Sequence, residues 1–192
     1  MKEKRNDLIH ENPFYKYLNN QSEYGFDIPD TSMFGMLKIS ENSHPEAVAI
    51  DYFGRKFTYN KLVEEIEKIS HSYYKIGVRK GDVVTVLMPN TPEAVISIYA
   101  LNRLGAVSNI VHPLSAQEEI KNYLVSCKCK FLLCIDKCIK KIENIREETY
   151  LEKIIVADAS CSMPVALKFA YGLKNKYTLP QKEKYILWKE LT

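Results

Sequence analysis

The sequence has few glycines and lacks the glycine-rich patterns that hold nucleotide phosphates. Its 192 residues contain seven glycines, and none falls into G-x-G-x-x-G or G-x4-G-K-[S/T]. Such loops use glycine to bring backbone N–H groups close to phosphate oxygens, so neither a Rossmann site nor a Walker-type loop is predicted. The G-x-S-x-G elbow and the H-E-x-x-H zinc motif are absent as well.

Long apolar runs are also missing. No stretch approaches the roughly 20 apolar residues that a membrane-spanning helix needs. The opening residues, MKEKRNDLIHENPF, are basic but are not followed by an apolar segment of the secretory type. We therefore expect a cytoplasmic protein.

The charge balance is close to neutral. The chain carries 27 Lys and Arg against 24 Asp and Glu, a net charge of +3. The basic residues are interspersed with acidic ones rather than gathered into a patch, so nucleic acid is not expected as a partner.

Cysteine usage argues against both disulfides and a metal site. Five cysteines occur late in the chain, an odd number without a secretory signal. The first four follow the pattern C-x-C-x4-C-x3-C, which is not a usual zinc spacing, and no histidine follows at the expected distance. We expect free thiols and no bound metal. The five are Cys127, Cys129, Cys134, Cys138 and Cys161.

The pattern that is present alternates between strand and helix. In VVTVLMPNTPEAVISIYALNRLGAV, residues 83–107, a continuous apolar run reads as a strand covered on both faces. Thr91 is predicted to cap the next helix, which Pro92 opens and Gly105 closes. Its predicted buried side consists of Val95, Ile98, Tyr99, Ala100 and Leu101.

Upstream, four further elements are predicted. A short leading helix lies near Pro13–Asn20, and a second helix is capped by Thr31 or Ser32, with Phe34, Leu37 and Ile39 inward. Two β-rich runs flank Phe53-Gly54-Arg55-Lys56 and indicate a hairpin. Thr58 caps an amphipathic helix, ended by Gly77, whose inward residues are Leu62, Ile66, Ile69 and Tyr73.

Downstream, the alternation continues. AVSNIV, KFLLCID and EKIIVADA read as strands, and CIKKIENI reads as a helix. Ser115 is predicted to cap a helix with Ile120, Tyr123 and Leu124 inward. The predicted fold is α/β: a parallel βαβ sheet with right-handed crossovers and helices on both faces, preceded by a short hairpin and N-terminal helices. Ligands of such sheets bind at the carboxyl ends of the strands.

Three segments of this sequence resemble the start of the AMP-forming acyl-CoA synthetases, within the adenylate-forming superfamily. They are FTYNKL (57–62), the stretch 77–120 and KFLLCID (130–136). T-Y-x-x-L is similar to that family's first core motif. L-x-x-x-G-A-V, with the proline-leucine turn and E-E-I that follow, is similar to its second. The resemblance runs in order over about residues 44–158, and the tail is most similar to the fatty-acid type.

The resemblance implies a two-step ligase reaction that uses ATP, Mg²⁺ and CoA. A carboxylate attacks the α-phosphate of ATP to give an acyl-adenylate, and a thiol then displaces AMP. The family's phosphate loop ends in Pro-Lys-Gly, and this sequence contains neither that loop nor the family's catalytic lysine. We therefore expect no catalytic residue in the 192-residue chain, no cofactor bound to it and no activity from it alone.

Three residues are candidate wall positions of a channel for the thiol substrate, because the second motif approaches that channel in the family. They are Asn109, His112 and Leu114. Family members often have Asn-Pro where this chain has His112-Pro113. Packing and turn chemistry within the loop are the alternative interpretation of all three residues.

The predicted organisation is a helical and loop lead-in over residues 1–43, followed by the first α/β portion of a larger adenylation domain over 44–192. One alternative is a non-catalytic interaction module on the same scaffold. Another is a peripheral membrane protein that acts through the basic amphipathic stretch 162–181. Small-molecule substrates would bind through the part of the larger enzyme that this chain lacks. Apolar surface left uncovered would favour a dimer and hydrophobic-dye binding.

Overall fold

The computed structural model describes residues 29–164, 167–170 and 184–191. The leading helix predicted near Pro13–Asn20 lies outside these residues, as does most of the stretch 162–181. The described residues from Ser32 onward belong to one compact unit. Its elements are α1 (Met33–Ser43), β1 (Val48–Tyr52), β2 (Arg55–Thr58), α2 (Tyr59–Lys75), β3 (Val83–Leu87), α3 (Pro92–Leu104), β4 (Val107–Ile110), α4 (Gln117–Ser126), β5 (Phe131–Ile135), α5 (Ile139–Ile145), β6 (Lys153–Ala157) and β7 (Ile186–Leu187).

Five strands form one parallel sheet in the order β4-β3-β5-β6-β7. Each neighbouring pair is parallel, and the central strand β5 is buried along its whole length. A strand with helices above and below has no solvent-facing side, which explains the continuous apolar runs of β3, β5 and β6. The predicted α/β class and parallel sheet are confirmed.

Helices cover both faces of this sheet, as predicted. The chain moves outward from β3 to β4 and then back across β3 to β5 and β6. Because parallel crossovers are right-handed, α3 lies on one face, and α4 and α5 lie on the other. Helix α2 packs against α3, and α1 packs against both. No helix among the described residues has the length and apolarity to cross a bilayer.

The hairpin β1–β2 is present, with a shorter connection than the sequence suggested. The two strands pair antiparallel, with Tyr52 opposite Arg55. Phe53 and Gly54 form the turn, and both have positive φ, as a tight type I′ connection requires. The Asp51 carboxylate accepts a hydrogen bond from the Gly54 N–H at 3.0 Å. Arg55 and Lys56 therefore belong to β2 rather than to the turn.

Three predicted helix caps are confirmed by side-chain hydrogen bonds. Ser32, Thr58 and Thr91 each accept a bond from the backbone N–H three residues later. Gly105 ends α3 in the left-handed conformation, φ 73°, which an L-residue adopts at a cost.

The predicted cap at Ser115 is wrong. Helix α4 begins at Gln117, and its capping position, Ala116, makes no side-chain bond. The Ser115 N–H instead donates to the carbonyl of His112 at 3.0 Å and closes a turn ahead of the helix. Turn formation therefore competes with capping for this serine, as it often does for Ser.

The predicted inward faces of the helices are partly corrected. Ile39 and Tyr123 are 53% and 44% exposed. Ile39 is two positions after Leu37, the buried residue of α1, and Tyr123 is next to the buried Leu124 of α4, so each lies on another side of its helix. The Tyr123 hydroxyl donates to Glu119 in solvent. On α3, burial centres on Ile96 and Ala100, so Val95, Ile98 and Tyr99 are half-buried flanks.

A buried polar contact joins α2 to α3. The Tyr73 hydroxyl and the Ser97 hydroxyl are hydrogen-bonded, and both residues are fully buried. Burial raises the pKa of the Tyr73 phenol far above its ordinary value. This bond satisfies two hydroxyls that water does not reach, so each depends on the other.

We predict that Tyr73→Phe lowers the free energy of unfolding by about 1 kcal/mol, because the Ser97 hydroxyl then stays buried without this partner. Urea unfolding followed by circular dichroism measures the change. The neighbouring Tyr74→Phe is a matched control, because Tyr74 is exposed and its ring, which Arg79 covers at 3.9 Å, is retained. Equal loss in the two variants would show that the buried bond contributes nothing.

Candidate functional site

The candidate site lies at the carboxyl edge of the sheet. The strand order reverses direction at β3, so the connections after β3 and β5 depart to opposite faces. In open α/β sheets the crevice outside such a reversal is where ligands bind. Two groups of residues occupy this edge: a loop after β4 and a cleft beside β6 and β7.

The first group is the loop His112–Ser115, called the edge loop below. The Val111 N–H donates to the carbonyl of Val86 at 3.1 Å and fixes the start of the loop to β3. The His112 Nδ1 accepts a hydrogen bond from the Leu114 N–H at 3.2 Å. The Leu114 side chain is 81% exposed at the tip of the loop. His112 and Leu114 are therefore brought together, with Leu114 presented outward.

Asn109 lies apart from these two residues. It belongs to β4, and its side-chain Nδ2 donates to the Thr85 hydroxyl at 3.0 Å and to the Cys127 sulfur at 3.6 Å. These contacts lie within the layer between β3 and α4. The role of Asn109, His112 and Leu114 as walls of a thiol-substrate channel stays a prediction.

One residue of the edge loop region was missed by sequence reasoning. Lys141, on α5, donates from Nζ to the carbonyls of Pro113 and Ser115 at 3.3 and 2.9 Å. The sequence shows Lys140 and Lys141 as adjacent residues of an amphipathic helix and gives no sign of which one turns toward the loop.

The second group is a cleft of about 530 Å³ at the carboxyl ends of β6 and β7. Its lining combines apolar side chains with basic and acidic ones. Four parts of the chain contribute: the hairpin with α2, the start of α3, the connection after β6, and the residues around β7. The principal lining residues are Arg55, Phe57, Lys61, Glu93, Ile96, Val156, Asp158, Cys161, Ser162, Lys168, Leu187 and Trp188.

Glu93 is the buried carboxylate of the cleft. It is 4% exposed and accepts a hydrogen bond from the Ser162 hydroxyl. It lies in the first turn of α3, where the helix dipole stabilises a negative charge. The bond to Ser162 ties the connection after β6 to the start of α3. The sequence marks Glu93 as a first-turn acid after Pro92 and gives no sign of its burial.

The Cys161 thiol lies beside this carboxylate. Burial, followed by the charge of Glu93, raises the pKa of Cys161 to about 11. The Cys161 carbonyl accepts a hydrogen bond from Arg55 at 3.4 Å. The thiol is therefore protonated at neutral pH and is a poor nucleophile.

The geometry offers no metal centre among residues 29–164, 167–170 and 184–191. These residues contain no group of three or more His, Cys, Asp or Glu side chains that could hold a metal ion. All five cysteines are free thiols. Burial raises the pKa of Cys129, Cys134 and Cys138 as well, so these three behave as core residues rather than as ligands.

Comparison with known proteins decides the family. The model of the AMP-binding enzyme family matches residues 37–184, which include the whole parallel sheet apart from its last strand. The chain belongs to this family.

Relatives in this family are CoA ligases. The chain is 23% identical over 164 residues to a long-chain-fatty-acid–CoA ligase of Bacillus subtilis, covering 85% of this chain and 29% of the relative. It is 28% identical over 114 residues to 4-coumarate–CoA ligase 3 of Arabidopsis thaliana, covering 59% of this chain and 20% of the relative. The chain thus spans less than a third of the length of either protein.

A solved structure supports the fold independently. Coronafacic acid ligase from Pectobacterium brasiliense superposes with a TM-score of 0.67 at 18% identity, covering 84% of this chain and 29% of that protein. At this identity the likeness establishes the arrangement of helices and strands alone.

We predict that alkylation of Cys161 by iodoacetamide is about a hundredfold slower at pH 8 than that of an unperturbed thiol, and that it accelerates until pH passes about 11. The reason is that the raised pKa leaves little thiolate at pH 8. Glu93→Gln should speed the reaction, because the neighbouring negative charge is removed. Peptide mass spectrometry measures modification at each cysteine.

Glu147→Gln is the matched control, since Glu147 is exposed and lies outside the cleft. The fully buried Cys134 should stay unmodified in each variant and reports that the protein is folded. An unchanged pH profile of Cys161 in Glu93→Gln would rule out an effect of the carboxylate on the thiol.

Proposed function

We propose that this chain is the N-terminal part of a carboxylate–CoA ligase. The supporting observation is the family match over residues 37–184, on a parallel sheet whose carboxyl edge carries the edge loop and the cleft. The ligase would activate a carboxylic acid with ATP as an acyl-adenylate and transfer the acyl group to CoA. It would work in the cytoplasm.

A fatty acid is the proposed substrate class. Its support is the Bacillus subtilis relative, a long-chain-fatty-acid–CoA ligase that covers 85% of this chain. The Arabidopsis thaliana relative is a 4-coumarate–CoA ligase and covers 59%. The broader coverage favours the fatty-acid type.

The residues of this chain do not fit ATP with Mg²⁺. The sequence has no phosphate loop ending in Pro-Lys-Gly, and its described residues hold no cluster of metal ligands. A site for developing phosphate charge needs preorganised N–H donors and cations. We propose that these belong to sequence that this chain does not contain, and that the chain alone is inactive.

What this chain would contribute is the rigid wall of the site. His112 and Leu114 would line the channel for the thiol substrate, since they lie together at the carboxyl edge and Leu114 faces outward. Asn109 would contribute less directly, by holding β4 against β3 through its bond to Thr85. The chemistry of CoA in this reaction is that of its thiol, which takes the acyl group from the adenylate.

We predict that a longer polypeptide containing this chain catalyses the exchange of radiolabelled pyrophosphate into ATP, and that the exchange depends on added fatty acid. The reason is that acyl-adenylate formation is reversible. We expect the 192-residue chain by itself to show background exchange. Counting of radioactive ATP measures both.

The control is the same assay without carboxylic acid. Acid-dependent exchange by the 192-residue chain would contradict the proposal that the chain alone is inactive. Absence of exchange in the longer polypeptide, or exchange without any dependence on an acid, would overturn the ligase assignment.

A further inference from the structure

Lys141 holds the edge loop from outside it. Its Nζ donates to the carbonyls of Pro113 and Ser115, one on each side of Leu114. The Cys138 thiol donates to the same Pro113 carbonyl at 3.5 Å. Bonds within the loop join Leu114 to His112 and Ser115 to His112. The exposed tip is thus fixed from within and from helix α5.

The partners of Lys141 are backbone carbonyls. No carboxylate of the described residues forms an ion pair with it, and its side chain is half-buried. Hydrogen bonds from a charged donor are stronger than neutral ones. Lys141 forms two such bonds, to the carbonyls of Pro113 and Ser115. Together these bonds fix the direction of the peptide units between the two residues.

The contact between Lys141 and the edge loop lies at the carboxyl edge of the sheet. The edge loop follows β4 and α5 follows β5, and β3 lies between these two strands. Lys141 therefore joins connections that leave the sheet on either side of the point where the strand order reverses. A second bond joins the helices that follow, from Asn144 on α5 to Gln117 on α4 at 3.0 Å.

We propose that Lys141 is a positioning residue that keeps the edge loop in the shape in which it lines the thiol-substrate channel. The assignment of the channel rests on the proposed function. The statement that Lys141 fixes the edge loop depends only on the hydrogen bonds to Pro113 and Ser115. Lys141 acts through the loop and does not touch the substrate.

Two variants and one matched control test this proposal. Lys141→Met keeps the aliphatic stem and removes the donors, and Lys141→Arg restores a cationic donor. The control is Lys153→Met. Lys153 also donates from Nζ to a backbone carbonyl, that of Ile76 at 2.7 Å, but it lies at the opposite, amino-terminal edge of the sheet.

The first measurement is amide hydrogen exchange of Leu114 and Ser115 in the 192-residue chain. Lys141→Met should exchange about tenfold faster at these amides, because the loop opens more often once the Lys141 hydrogen bonds are lost. Lys141→Arg and Lys153→Met should stay near the wild type there. Unchanged exchange in Lys141→Met would overturn the proposal, whatever the activity of the protein.

The second measurement separates binding of the thiol from the first reaction step in the longer polypeptide. Lys141→Met should raise the KM for CoA about tenfold and leave pyrophosphate exchange unchanged. Faster loop exchange with an unchanged KM for CoA would overturn the link to the channel. If the wild type forms no acyl-CoA, the proposed function fails, and with it the link to the channel, whereas the hold on the loop is still decided by hydrogen exchange.

Discussion

The structure depends on the pairing of five parallel strands that have helices on both faces. Buried backbone N–H and C=O groups have no access to water, so they must bond to neighbouring strands. Parallel pairing also requires each connection to return across a face of the sheet, which brings the helices that cover it. The consequence is that all five carboxyl ends meet at one edge. The edge loop and the cleft both owe their places to that alignment.

At this edge the hydrogen bonds between strands end, and side chains form hydrogen bonds with the backbone groups that follow. After β5, the Asp136 carboxylate accepts a bond from the Lys137 N–H at 2.8 Å. After β6, Asp158 accepts from the Ser160 N–H at 2.6 Å. Burial, with a smaller contribution from Asp158, raises the pKa of Asp136. After β4, Lys141 donates to the carbonyls of Pro113 and Ser115 in the edge loop. Polar contacts between side chains and backbone therefore help to order this edge.

The sequence predicted the elements well because their signals are local. The cap at Thr91, the proline at position 92 and the glycine at 105 each act within one turn of helix, and the structure has all three. The prediction that Ser115 caps a helix was wrong because two local signals competed. Ser115 forms a turn with His112 instead of capping the helix. The prediction that Ile39 and Tyr123 face inward was wrong because an apolar or aromatic residue need not face the core.

The contacts that make the site were beyond sequence reasoning for a different reason. Ser162 and Glu93 are 69 residues apart, and Lys141 is 28 residues from Pro113. Such partners follow from the strand order, which the pattern of elements leaves open. The pattern showed an acid in the first turn of a helix and two adjacent lysines. It did not show that the sheet would bury the acid or turn one lysine toward a loop.

Strand β3 fixes the geometry between the two parts of the edge. It pairs with β4 on one side and with β5 on the other, and four of its five residues are buried. Its carboxyl end leads into the turn before Glu93 in the cleft, while its neighbours carry the edge loop and the helix of Lys141. Because a buried strand paired on both sides has little freedom to shift, the spacing between cleft and loop is set by the sheet. Under the proposed function, groups added by a longer polypeptide would meet a preformed edge, which is what electrostatic preorganisation of a reaction site requires.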